Sequence, residues 1–204
     1  MNLNEHNLIN FSPSCERNQE AIFERLLPYI PSSASVLEIG SYSGQHAIHF
    51  CQNRPDLIWQ ASDQSQYISG LKQNFSMVNL ANIITPIEIN VDVAEHWPKQ
   101  KFDVIYSANT LHIMSLQQVK RMFENMATCL KENTLVCIYG PFKYNSKYTS
   151  ASNEEFQQWL QARDPLSGVR DFEAIALLAQ KSDLQLVQDI KMPANNQLLI
   201  WQKE

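Results

Sequence analysis

The 204-residue chain predicts an α/β fold: a doubly wound, mostly parallel sheet of seven strands that ends in an antiparallel hairpin. Three observations predict it. Short apolar runs alternate with stretches whose apolar residues recur at helical spacing, the pattern of parallel strands joined by covering helices. One run, Val36-Leu37-Glu38-Ile39, passes through Gly40-Ser41-Tyr42-Ser43-Gly44 into a helical stretch, the strand–turn–helix order of a nucleotide-binding βα unit. The last two runs are separated only by Pro193-Ala194-Asn195-Asn196, too short a link for a crossover and suited to a hairpin.

The elements follow in order. Strands are expected near residues 35–39, 57–62, 83–89, 102–107, 134–140, 184–192 and 197–202, where apolar and β-branched residues run between turn formers. Helical spacing marks Arg17 to Tyr29, Gly44 to Asn53, Ser65 to Val78, Leu116 to Leu130, Asn153 to Ala162 and Asp171 to Lys181. The last is clearest, with Phe172, Ile175, Ala176 and Ala179 on one face. At this length one domain, residues 1–204, is the expectation. Residues 11–34 are read as an N-terminal substrate or lid segment and 143–170 as a lid insertion.

Composition narrows the function. Apolar residues make up 44% and charged residues 18%, as in ordinary globular proteins, and the net charge of −5 argues against a phosphate-binding face for nucleic acid. Cys15, Cys51, Cys129 and Cys137 are far apart, with no C-x-x-C pair and no histidine at metal spacing, so they read as reduced thiols and predict no metal site. Met1 to Asn10 is polar, and no run of eighteen apolar residues occurs, so a soluble, cytoplasmic protein without membrane contact is expected.

Open parallel sheets bind ligands at the carboxyl ends of their strands, near the point where strand order reverses. Glu38 to Gly44, Asp63, Asp92-Val93, Asn109 to His112, Gly140-Pro141-Phe142 and Pro193 to Asn196 all fall at such ends. Gly40 and Gly44 suit a close backbone approach to a ligand, although a strand-to-helix turn also uses glycine simply for positive φ. Glu38 would repel a pyrophosphate and attract the ammonium of an amino-acid-like cofactor, which points to S-adenosyl-L-methionine. The dinucleotide alternative also lacks its third glycine, and Tyr42 and His46 occupy that neighbourhood. Asp63 is placed to accept from ribose hydroxyls or to cap the next helix. Asp92 is placed to accept from an adenine amino group, with Val93 offering backbone contacts, or is a plain turn residue.

Longer motifs carry a family resemblance. They are Ser12-Pro13-Ser14-Cys15-Glu16-Arg17-Asn18, Leu37-Glu38-Ile39 with Ser41 and Ser43-Gly44-Gln45-His46, Trp59-Gln60 with Ser62-Asp63, and Asn109 with His112-Ile113. Tyr139-Gly140-Pro141-Phe142, Ala162-Arg163-Asp164-Pro165, Gly168-Val169-Arg170-Asp171 and Met192-Pro193-Ala194-Asn195-Asn196 complete the set. From about Ser12 to Gln202 the chain resembles the DUF938 family of class I S-adenosylmethionine-dependent methyltransferases, related to methyltransferase-like protein 26. The family typically has glycine where this chain has Tyr42, and often alanine at Gly40.

The resemblance implies methyl transfer from S-adenosyl-L-methionine to a small-molecule acceptor, with no nucleic-acid partner. It adds Ser41 and Tyr42 to the cofactor residues, and Asn18 and Phe142 to the acceptor residues. His112 is the candidate base, or a histidine satisfied against the next helix. Asn109 is placed to hold the acceptor or the methionine amine, or to form a turn. His46 is structural or a contact to the cofactor's carboxylate, rather than a base. Arg17, Arg163 and Arg170 would line a site for an acidic acceptor, or else pair with Glu16, Asp164 and Asp171 in solvent. Asn195 and Asn196 suit a left-handed hairpin turn and lie at the ligand edge. A SAM-binding partner protein without turnover is the alternative.

Overall fold

The computed structural model describes residues 7–204. Residues 1–6, and with them the start of the polar Met1–Asn10 stretch and of the 1–204 span, lie outside the described residues. The elements run α1 (Pro13–Leu26), β1 (Ser35–Ile39), α2 (Gln45–Asn53), β2 (Ile58–Asp63), α3 (Ser65–Val78), β3 (Ile83–Glu88), β4 (Val104–Ala108) and α4 (Leu116–Met126). They continue with β5 (Leu135–Gly140), β6 (Phe142–Tyr144), β7 (Lys147–Tyr148), α5 (Ala151–Arg163), β8 (Arg170–Asp171), α6 (Phe172–Lys181), β9 (Leu184–Met192) and β10 (Asn196–Lys203).

Seven strands form one sheet in the order β3-β2-β1-β4-β5-β10-β9, so strand order reverses between β1 and β4. The pairing of β1 with β2 and with β4 is parallel (Val36↔Trp59, Val36↔Val104), and β10 is antiparallel to both β5 and β9. The hairpin read from the sequence is present: Met192 pairs with Asn196, and Ala194 and Asn195 both take φ 57°. Position in the sheet explains the apolar patterning. Residues 36–39 of β1 and all of β5 are buried, whereas the two edges, β3 and β9, are largely exposed.

Helix boundaries shift where caps decide them. The first helix begins at Pro13, ahead of the expected Arg17, because Ser12 Oγ accepts from Cys15 N and proline fits the first turn. A reciprocal Ser115–Gln118 capping box starts α4, which ends at Met126 and tightens into a 3₁₀ turn over Ala127–Cys129. The 143–170 segment holds more than its expected helix. Its strands β6 and β7 pair antiparallel, β6 pairs in parallel with β8 (Phe142↔Arg170), and together they make a second small sheet. Strands of two or three residues are too short to leave a periodic signal.

The chain divides into two compact units, one comprising the described residues up to Asn90 with Phe102–Tyr106, the other Val91–Lys101 with Ser107–Glu204. In the first, Phe50 packs on Phe23, Trp59 and Tyr106 at ring-centroid distances of 5.1, 5.1 and 5.7 Å. In the second, Val119, Met122, Phe123 and Met126 of α4 are buried, as are Ile175 and Ala179 of α6 and Leu198 to Trp201 of β10. Among the described residues no helix is long and apolar enough to cross a membrane.

Candidate functional site

The turn from β1 to α2 is a hydrogen-bonded scaffold hung on the end of β2. Gly40 N and Ser41 N both donate to Ser62 O (3.0 and 2.9 Å), and Gly44 N donates to Ser41 O at 2.7 Å. Asp63 closes the turn: its Oδ2 accepts from Tyr42 N and its Oδ1 from Gln64 N, both at 2.7 Å. Burial raises the Asp63 carboxyl, and the two N–H donors pull the other way. Gly40, Tyr42 and Gly44 have φ of 79°, 51° and 77°. This geometry is costless only for glycine, which explains why glycine is expected where Tyr42 stands. The Tyr42 ring leaves the turn and meets Tyr67 edge-on at 5.2 Å.

Beneath the turn, Glu38 is 1% exposed. Its Oε2 accepts from Ser41 Oγ (2.8 Å) and Trp59 Nε1 (3.0 Å). Burial pushes its carboxyl up to about 7 against those two donors, and nearby Asp63 adds to the rise. His46 Nδ1 lies 3.9 Å from Glu38 Oε1, yet this is not an ion pair, because burial, helped by His49, takes the imidazole down to about 3 and leaves it neutral. His46 is held by Asn18, whose Oδ1 is 2.8 Å from Nε2, and by Tyr106, edge-on at 5.6 Å. Asn18, expected at the acceptor, is thus joined to His46, one of the residues expected at the cofactor.

The segment ahead of α1 is tied to this turn. Ser12 N donates to Gln45 Oε1 at 2.7 Å, which also accepts from Ser43 Oγ at 2.8 Å. Asn74 exchanges hydrogen bonds with the Ile9 backbone (2.8 and 2.9 Å) and donates to Ser43 O at 2.8 Å. Arg17, on the outer side of α1, is exposed.

The second unit gathers the remaining expected residues. His112 is 7% exposed, meets Phe156 edge-on at 5.1 Å, and is taken down to about 4, chiefly by burial and then by Arg170. His112 lies beside the end of β5: a Cβ on Gly140 would make an ordinary contact, 3.7 Å, with its Nδ1. Asn109 takes φ 56° and donates its N–H to Tyr139 O at 2.9 Å. Asp92 is exposed and accepts from Gln118 Nε2 at 3.3 Å, and Val93 is half-buried.

Arg170 does not face solvent: its guanidinium donates to Leu111 O (3.1 Å), Met114 O and Leu166 O (3.0 Å), tying two loops together. Arg163 is exposed and lies 4.6 Å over the Trp159 ring. Phe142 is 1% exposed. Asn195 Nδ2 donates to Ser152 Oγ and Asn195 O accepts from Asn153 (3.1 and 2.9 Å), while Asn196 Nδ2 bonds back to Pro193 O and Ala194 O.

Sequence reasoning passed over Trp59 and Ser62 as site residues, though both lie in the quoted motif beside Asp63. It also passed over Phe156, whose place on α5 against His112 no local pattern announces.

Residues 9–203 match the model of a family described as Protein of unknown function (DUF938). The fold matches a putative O-methyltransferase from Nostoc punctiforme PCC 73102 at TM-score 0.80 and 17% identity, covering 94% of this chain and 57% of that one. It matches an O-methyltransferase family protein from Burkholderia thailandensis at TM-score 0.76 and 15% identity, covering 93% and 59%. It matches human N-acetylserotonin methyltransferase, solved in complex with SAM, at TM-score 0.73 and 15% identity, covering 93% and 52%. The match thus spans between 52% and 59% of the length of these three proteins.

Proposed function

We propose that this chain, which belongs to the DUF938 family and has a Rossmann-like methyltransferase fold, is an S-adenosyl-L-methionine-dependent methyltransferase acting on a small-molecule acceptor in the cytoplasm. The observation that carries the reading is the Glu38 carboxylate at the end of β1: Ser41 and Trp59 occupy one oxygen, and the other has no hydrogen bond from the described residues. A carboxylate oxygen without a donor, on a residue only 1% exposed, fits a cationic ligand group and opposes a phosphate.

When bound, S-adenosyl-L-methionine supplies a methyl group on a positively charged sulfur, already activated toward a nucleophile. Glu38 would hold the ammonium, and Asp63, with lone pairs beyond those taken by Tyr42 N and Gln64 N, would accept from ribose hydroxyls. Gly40, Ser41, Tyr42 and Gly44 shape the turn against the cofactor. Asp92 and Val93 would serve the adenine, and Asn109 the amine or the acceptor. His112, neutral at ordinary pH, would take the proton of a hydroxyl or amine acceptor. Exposed Arg17 and Arg163 favour an acidic acceptor, with Asn195 and Asn196 at the hairpin. Arg170 would position the acceptor loops rather than touch the acceptor.

Calorimetric titration with S-adenosyl-L-methionine, followed by labelled-methyl transfer to a metabolite pool, tests this. Binding by the native chain, loss of binding in Glu38→Ala, and transfer abolished in His112→Ala are expected. Binding without transfer to any acceptor would identify a SAM-binding partner protein instead.

A further inference from the structure

We infer that Glu38 Oε1 and His46 Nδ1 form a two-acceptor site for a primary ammonium group, with Asn18 fixing the histidine tautomer that makes His46 an acceptor; this rests on the cofactor reading above. An amide oxygen only accepts, so Asn18 Oδ1, 2.8 Å from His46 Nε2, requires the proton on Nε2. Nδ1 then carries a lone pair. It faces Glu38 Oε1 across 3.9 Å, and Ser41 and Trp59 both donate to the other oxygen.

Neither atom accepts a hydrogen bond from another described residue, and the three side chains are 1%, 5% and 9% exposed for Glu38, His46 and Asn18. Two acceptors held face to face with little access to bulk water call for a donor that serves both. A hydroxyl has one proton and satisfies one of them. An ammonium has three, satisfies both, and brings the charge that compensates a buried carboxylate. The ring cannot turn to avoid this, because Tyr106 packs on it edge-on at 5.6 Å while Asn18 holds its far nitrogen. Asn18 is therefore a positioning residue. It lies on α1, so the first helix helps define what the β1 turn can bind.

The tautomer is tested first on the unsubstituted protein by long-range ¹⁵N–¹H spectroscopy of the histidine rings. The proton of His46 is expected on Nε2, and a proton on Nδ1 would overturn the inference. Binding is then measured by calorimetry with S-adenosylhomocysteine and with its desamino counterpart. The native chain is expected to prefer the amine by about a hundredfold, the worth of two hydrogen bonds to a charged group. Asn places its oxygen where Nδ1 stands and Gln reaches where Nε2 stands. His46→Asn is therefore expected to keep the preference, and His46→Gln and Asn18→Leu to lower it about tenfold, the worth of one hydrogen bond to a charged group, with the desamino compound bound alike by all. A preference undiminished in His46→Gln, or equal losses for both compounds, would mean that His46 only packs. If the native chain binds neither compound, the cofactor reading and the ammonium site fall together, and the spectrum still decides the tautomer.

Discussion

Gly44→Ala probes the turn most directly. Gly44 opens α2 with φ 77°, and a Cβ there would stand 2.4 Å from Phe75 Cε1, 2.7 Å from Phe75 Cζ and 3.1 Å from Leu71 Cδ2. Phe75 and Leu71 are 9% and 0% exposed, so the ring has little room to retreat. Left-handed backbone costs a non-glycine residue about 1 kcal/mol, and overpacking a close-fitted core costs about 1–3 kcal/mol. Loss of glycine's freedom in the unfolded chain returns up to about 1 kcal/mol. The net is a destabilisation of about 1–4 kcal/mol, or roughly 2–16 °C in Tm for a chain of this size. Urea unfolding followed by circular dichroism should show a lower midpoint at unchanged slope. Phe75→Leu should relieve the steric part and leave the backbone part, so the double mutant should be more stable than the sum of the singles by about 1 kcal/mol or more. A Gly44→Ala protein within about 0.5 kcal/mol of the native chain, the range of ordinary surface changes, would refute the packing argument, and strict additivity would refute the assignment of the clash to Phe75.

Glu38→Gln should stabilise the fold above neutrality while abolishing recognition of the amine. The folded carboxyl sits near 7 against 4.5 unfolded, so its contribution is full below 4.5 and is lost as pH rises through 7, by about 3 kcal/mol; urea titrations at pH 5 and pH 8 should show that fall in the native chain and not in the variant. His112 acts in the opposite sense: taken from 6.5 to about 4, its contribution is present above 6.5 and is lost as pH falls through 4. His112→Leu should therefore flatten part of the acid arm of the stability profile. Arg170→Lys keeps the charge but cannot reach Leu111 O, Met114 O and Leu166 O together, so unfolding free energy should drop by about 2–4 kcal/mol, and equal stability would show those bonds to be dispensable.

What could be read in the sequence was what strand period, turn chemistry and composition encode. The seven strands of the large sheet, the closing hairpin and the β1–α2 turn are of that kind, since each is specified within a short window. Contacts across windows were not. Glu38–Trp59, Ser41–Ser62 and Tyr42–Asp63 all share a separation of 21 residues, because one parallel βαβ register generates all three. The letters hold that regularity, but it becomes visible only when the register is known. Asn18 and His46 are joined across 28 residues on two packed helices, where no period links them. Arg170 shows the limit for charge: an arginine beside acids reads equally as a ligand group, a surface ion pair or, as here, a clamp on backbone carbonyls, and only the carbonyls' positions decide.

Tyr42 joins these strands of argument. The sequence marks it as a side chain where glycine was expected, and the backbone gives the reason for that expectation, a φ of 51°. What fixes this conformation is not the residue's own preference but the 2.7 Å bond from its N–H to Asp63, a bond to the main chain that any residue except proline would make. The turn therefore keeps its shape whichever side chain stands there, and the strain of about 1 kcal/mol is of the same order as the gain from an edge-on aromatic pair, about 0.5–1.5 kcal/mol, which Tyr42 forms with Tyr67 on α3. The bonds that hold the turn to the end of β2, from the N–H groups of Gly40, Ser41 and Tyr42, are all made by the main chain and none by the Tyr42 ring. The ring adds an aromatic face, 39% exposed, beside the end of β2, where the ribose and base of the proposed cofactor would be read.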